Sequence, residues 1–300
     1  MIATRRHAGN RVLAGAVLAM VGLVGVFAQA APPAKPANGF VPDSRLTIPV
    51  LINGTGPYPF IVDTGSDRTV ISAELASSLK LPPGPHVTLH DISSVSDIAT
   101  VAIDRLSFGS RDMVDLHAPV LAMAGLGAAG MLGLDGLHNQ HIVMDFRAAT
   151  VTAGPSHREE DFNAVIVEGR RRFGQLILVD AQSHGEPIYV ILDSGGEATI
   201  GNSALRTLIA NGDARTARPP TAQIVSATGH HTETEIDTIS EIRLDSIIIR
   251  NVPIDFADLH IFDYLRIGNR PAMLLGMDVL RHFWRVSVDF RLGEAVFLAQ

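Results

Sequence analysis

The sequence predicts a mostly β chain built as two related halves, and three observations carry that prediction. Short runs rich in Val, Ile and Leu are broken by turn signals such as Asn53-Gly54, Phe108-Gly109-Ser110, His184-Gly185 and Leu292-Gly293. The segment Pro57-Tyr58-Pro59-Phe60-Ile61-Val62-Asp63-Thr64-Gly65-Ser66-Asp67 returns without a gap as Pro187-Ile188-Tyr189-Val190-Ile191-Leu192-Asp193-Ser194-Gly195-Gly196-Glu197. Finally, 300 residues at 46% hydrophobic and 18% charged hold apolar material for about two domains.

Taken in chain order, the first element is an address label. Arg5, Arg6 and Arg11 precede an apolar run from Val12 to Ala28, and Ala28-Gln29-Ala30 supplies an A-x-A cleavage site. Residues 1–30 are therefore expected to be a signal peptide for an exported protein, periplasmic or secreted, with no stable membrane insertion after cleavage. An uncleaved anchor is the competing reading, because the run sits at the low edge of a bilayer-spanning length. Residues 31–39, with three prolines, read as an extended tether.

The first half is expected over residues 40–157 and the second over 158–300. Beyond the duplicated Asp segment, Met131-Leu132-Gly133-Leu134-Asp135-Gly136-Leu137 pairs with Leu274-Leu275-Gly276-Met277-Asp278-Val279-Leu280. Each copy then closes on Asp-Phe-Arg, at Asp145 and at Asp289. Two helices interrupt the β pattern. Ser72 can cap Ala73 to Leu81, and Asn202 or Ser203 can cap Ala204 to Ala210. The polar stretch Gly154 to Asp161 is the natural linker.

Composition excludes whole classes of chemistry. The chain has no cysteine, so thiol nucleophiles, Cys-ligated metals and disulfides are impossible. A net charge of −7, with no basic block longer than Arg170-Arg171-Arg172, speaks against a nucleic-acid partner. What remains is chemistry on Asp, Glu, His, Ser, Lys or backbone groups. Asp63 and Asp193 each end an apolar run on a turn where glycine admits a second backbone. If the halves pack about a pseudo-twofold axis, the carboxylates meet. Two carboxylates so placed cannot both ionise, so they share a proton: one takes a proton from water while the other donates to a carbonyl oxygen. Thr64 and Ser194 can lock the two turns across the axis. The competing reading makes each Asp a turn residue bonding its own backbone.

The apolar-Asp-Thr-Gly-Ser-Asp segment at Ile61 to Asp67, its duplicate at Asp193 and the Leu-Leu-Gly-Met-Asp-x-Leu element at Leu274 to Leu280 resemble the aspartic peptidases, in particular their bacterial retropepsin-like branch. The likeness covers roughly residues 40 to 300. It implies a two-lobed acid-protease β-barrel fold and an aspartic endopeptidase acting on a peptide or protein substrate. In that reading Asp63 and Asp193 are the dyad, Thr64, Gly65, Ser194 and Gly195 support the turns, and Asp67, Glu197 and Gly229 contact substrate. It needs no cofactor and no metal, and with both lobes on one chain a monomer suffices. The family's glycine-bearing flap has a counterpart in Ser226-Ala227-Thr228-Gly229-His230, whereas the matching His90 to Ser96 contains no glycine.

Other readings carry less. A protein of this fold could hold extended peptides by strand addition without cutting them. Asp193-Ser194-Gly195-Gly196 echoes the chymotrypsin-like nucleophile segment, but Leu192 stands where glycine is expected. Gly125-Leu126-Gly127-Ala128-Ala129-Gly130 matches a dinucleotide fingerprint inside a β-rich repeat, so a turn is expected there. His138 and His141, and the adjacent His230 and His231, lack a third metal ligand and read as solvated or satisfied.

Overall fold

The computed structural model describes residues 2–4, 45–172, 175–178, 181–210 and 219–300. The expected cleavage site after Ala30 and the tether at 31–39 lie outside the described residues.

The first lobe is a closed barrel. Its strands run in the order Thr47–Ile52, Thr55–Val62, Gly130–Leu132, Val70–Ser72, Arg111–Leu121 and Thr100–Phe108, the last pairing back onto the first. Alternation drives this closure: Thr47–Ile52 buries every second residue, Ile48, Val50 and Ile52, against the barrel interior. The second lobe repeats the strand order with Gln175–Leu178, Tyr189–Leu192, Ala272–Leu275, Ile200–Gly201, Ile247–Phe256 and His231–Leu244. The duplicated sequence thus produces a duplicated topology, and the expected mostly β, two-lobed fold is observed.

Below the lobes a single sheet joins them. Gln140–Asp145 from the first half pairs antiparallel with Phe283–Asp289 from the second, from His141 opposite Asp289 to Asp145 opposite Arg285. Asp145 and Asp289 are the equivalent ends of the two copies, so Val143 and its counterpart Ser287 lie opposite each other. The pseudo-twofold axis passes between them. Thr150–Pro155 and Glu294–Ala299 flank this pair, and Phe283, Val286, Val288 and Phe297 extend one apolar core from the sheet into both lobes.

Both expected helices form, with adjusted ends. Ser72 Oγ accepts from Leu75 N at 3.1 Å and caps Ala73–Ser78. The helix stops short of Leu81 because Lys80 takes a left-handed φ of 51° ahead of Pro82-Pro83. In the second lobe Asn202 is the cap, its Oδ1 accepting from Leu205 N at 2.9 Å, and Ser203 begins the helix Ser203–Ala210. The Gly125 to Gly130 motif spans the end of a short helix, Met123–Leu126, a left-handed Gly127 and a strand start at Gly130, where any Cβ would strike the Phe60 ring. Among the described residues no helix is long and apolar enough to cross a membrane.

Candidate active site

Each aspartate is delivered by the same local device. Thr55–Val62 runs parallel to Gly130–Leu132, and Asp63 N donates to Leu132 O at 3.0 Å where the chain turns. In the second lobe Tyr189–Leu192 runs parallel to Ala272–Leu275, and Asp193 N donates to Leu275 O at 3.0 Å. The chain after each apolar pair threads behind the turn. Leu134 N donates to Ser66 O and Met277 N to Gly196 O, at 2.8 and 2.9 Å. Gly133 and Gly276 sit at this crossing, where a Cβ would meet the backbone of Arg68 or Ala198. Thr69 and Thr199 fasten it, their hydroxyls donating to Asp135 and Asp278 at 2.6 and 2.7 Å and accepting from the Gly133 and Gly276 amides.

The two turns lock on each other across the axis. Thr64 Oγ1 donates to Leu192 O and Ser194 Oγ donates to Val62 O, both at 2.7 Å. Each hydroxyl also accepts the other residue's amide, both at 3.1 Å. These groups are buried, so every bond forms away from competing water. Ser194 is thereby a structural hydroxyl, and the serine-nucleophile reading finds no support in its bonding.

This lock brings the carboxylates to the partner turn. A Cβ on Gly65 would lie 2.8 Å from Asp193 Oδ1, and one on Gly195 would collide with the Asp63 carboxylate. Asp63 and Asp193 are only 8% and 6% exposed. Asp63 accepts from Gly65 N at 2.7 Å, and Asp193 from Gly195 N and Gly196 N at 3.1 and 2.9 Å. Burial, then the charge of Asp193, push the Asp63 carboxyl up to about 8 despite the Gly65 amide and Arg45. Burial likewise raises Asp193, against the pull of the Gly196 and Gly195 amides and of Arg45.

The predicted outer residues are spread around this centre. Asp67 is half-buried and its Oδ2 accepts from Tyr264 OH of the second lobe at 3.2 Å. A recess of about 510 Å³ beside it is lined by Asp67, Arg68, His90 and Tyr264. Glu197, the equivalent position, is exposed. Gly229 turns the hairpin of Thr221–Val225 and His231–Leu244 at φ 85°, its amide donating to Ser226 O at 2.9 Å.

The glycine-free stretch His90 to Ser96 also forms a hairpin, joining Val87–His90 to Val95–Ile98. Asp91 takes over the role of glycine by accepting from Ser93 N and Ser94 N at 2.7 and 2.6 Å. Ile92 packs on the second lobe's cluster that contains Ile191, and Ala227 of the other hairpin packs on the first lobe's cluster that contains Ile61. Each of these isoleucines stands two residues before an aspartate of the pair.

Sequence reasoning missed Arg45, which donates to Leu126 O at 2.7 Å and to Gly195 O at 3.2 Å and so bridges the lobes. It also missed His90, whose Nδ1 lies 2.9 Å from His260 Nε2 while its ring stacks on Tyr264. Neither belongs to a duplicated motif. The Thr69–Asp135 and Thr199–Asp278 bonds did carry a signal, since both partners recur in the repeat. His138 hydrogen-bonds Asn139, but His141 is neither solvated nor satisfied. It is 3% exposed, stacked on His157 and 3.6 Å from Asp289, with no hydrogen bond at either ring nitrogen, and burial lowers its pKa. Among the described residues no group of three or more His, Asp or Glu is placed to hold a metal ion.

Compared with known proteins, residues 48–136 match a family described as aspartyl protease. No curated protein matches the chain.

Proposed function

From the premise that residues 48–136 belong to the aspartyl protease family, we propose that the chain is an endopeptidase whose Asp63 and Asp193 together activate water against a peptide carbonyl. The observation that carries this is the reciprocal lock of Thr64 and Ser194, which holds two buried carboxylates against each other's turn.

Burial raises both carboxyls and the charge of Asp193 adds to the rise at Asp63, so the resting pair holds one shared proton. The ionised carboxylate of the pair then takes a proton from the attacking water as the shared proton passes from the other to the carbonyl oxygen. No covalent intermediate forms. As the tetrahedral gem-diol collapses, the carboxyl that took the water's proton gives it to the leaving nitrogen and a gem-diol hydroxyl returns a proton to the other carboxylate, which releases two peptides and restores the pair. The half-buried Asp67 and exposed Glu197 are the acids that receive substrate backbone amides, and Gly229 lies on the hairpin that covers the chain. The protein acts as an exported monomer, and the mature amino terminus is Ala31.

The test is cleavage of a random peptide library by residues 31–300 beside Asp63→Asn and Asp193→Asn. Each substitution is expected to lower turnover by about 10³-fold or more. The pH dependence of kcat/KM should show an alkaline limb near about 8, where the pair loses its shared proton. Cleavage that survives both substitutions overturns the reading. Amino-terminal sequencing of the exported chain checks the processing site.

A further inference from the structure

Asp91 is the only carboxylate at either hairpin tip, and it is bonded on both sides. Its Oδ1 accepts the Ser93 and Ser94 amides and closes its own turn. Its Oδ2 accepts Ser226 Oγ at 2.9 Å and Thr228 Oγ1, both from the tip of the other hairpin. An ionised carboxylate offers about four acceptor sites, and here they are divided between the two hairpins. Hydroxyl groups donating to a carboxylate make the stronger, charge-assisted kind of hydrogen bond. Thr232 Oγ1 adds a bond to Ser93 Oγ at 3.2 Å, and Ile261 N one to Ile92 O at 3.2 Å.

We infer that Asp91 is a positioning residue that ties the two hairpins into a single roof above the Asp63–Asp193 pair, so that both are placed on a bound peptide together. The inference rests on the reading of the site as a peptide-cleaving cleft. It follows from the crossed packing: each tip rests on the opposite lobe, so neither hairpin can lift while its tip is bonded to the other. A glycine at position 91 could turn the first hairpin but could not hold the second. The carboxylate does both. Because Asp91 reaches the other tip and not the reacting atoms, its effect falls on how firmly a peptide is held rather than on the proton transfers.

Thr228→Val removes a donor hydroxyl at nearly constant shape, and Thr228→Ser restores it. With Thr228→Val, amide hydrogen exchange should quicken about tenfold in residues 87–98 and 221–231 together. KM for a cleaved peptide should rise about tenfold while kcat stays within about twofold. Thr228→Ser should return both to the parent values. The chain has no cysteine, so Ser93→Cys with Thr232→Cys, whose hydroxyls lie 3.2 Å apart, gives a proximity test that leaves Asp91 and Thr228 in place: oxidation should join the two hairpins within one chain. Quickened exchange confined to 221–231, a fall in kcat at constant KM, or no cross-link in the folded double variant would each overturn the inference. Exchange and cross-linking need no substrate. A chain that couples its hairpins yet cuts no peptide therefore sinks the endopeptidase reading and leaves the tie standing.

Discussion

The first hairpin turns on a carboxylate that gathers the amides of Ser93 and Ser94, and the second turns on a glycine at φ 85°. A short distance below, the two aspartate turns use matching bonds with matching lengths, Thr64 to Leu192 and Ser194 to Val62. The difference follows from where each pair stands. At the axis Thr64 and Ser194 each bond the other's amide and a carbonyl of the other's strand, so a change on one side unseats both. At the tips the two hairpins meet unlike surfaces, and the same closure is reached with different residues.

The comparison can be broken most forcefully at the axis. Thr64→Val and Ser194→Ala each strip a buried hydroxyl that donates once and accepts once, leaving an amide and a carbonyl unpaired. Each should cost about 3 kcal/mol in urea denaturation. Costs that differ by more than about 1 kcal/mol would show that the turns are not equivalent.

At the tips the effects should be smaller and unequal. Asp91→Ala removes the acceptor of two amides in its own turn and should ease local opening of residues 87–98 by about 2 kcal/mol, read by hydrogen exchange. Gly229→Ala meets open space and bears only the left-handed backbone cost, about 1 kcal/mol. Equal effects would mean that the carboxylate contributes no more than a permissive backbone does.

The smallest effect is a pH dependence. Burial acts to raise the Asp91 carboxyl, but the bonds from Thr228, Ser93, Ser94 and Ser226 outweigh it and hold the group below the usual carboxylate range. A depressed folded pKa contributes stability above the unfolded value of about 3.9, and that stability is lost as pH falls through the folded one. Exchange in the hairpins should therefore quicken below about pH 4 in the parent chain. The change should be absent in Asp91→Asn. It is modest because Asp91 is half-buried and solvent screens it.

This contrast also explains what could be read from the sequence. The aspartate turns, their hydroxyl residues and the threaded Gly133 and Gly276 strands were legible because each element is written twice in register. The helix caps Ser72 and Asn202 were legible because capping is local. Asp91, His90, Tyr264 and Arg45 were not, since each acts on a partner 81 to 197 residues away that no repeat announces. The missing glycine at the first tip pointed to a difference. It could not reveal that a side chain had replaced a backbone conformation.

Strand pairing between Gln140–Asp145 and Phe283–Asp289 makes the floor of the molecule continuous across the point where its two halves meet. Phe162, 98% exposed on the connecting stretch, marks a place where that covalent path lies open to a nicking protease. A chain cut there would still be sewn together by the floor, its fragments expected to leave a sizing column as one body. Strand pairing rather than chain connectivity is then what holds the halves side by side.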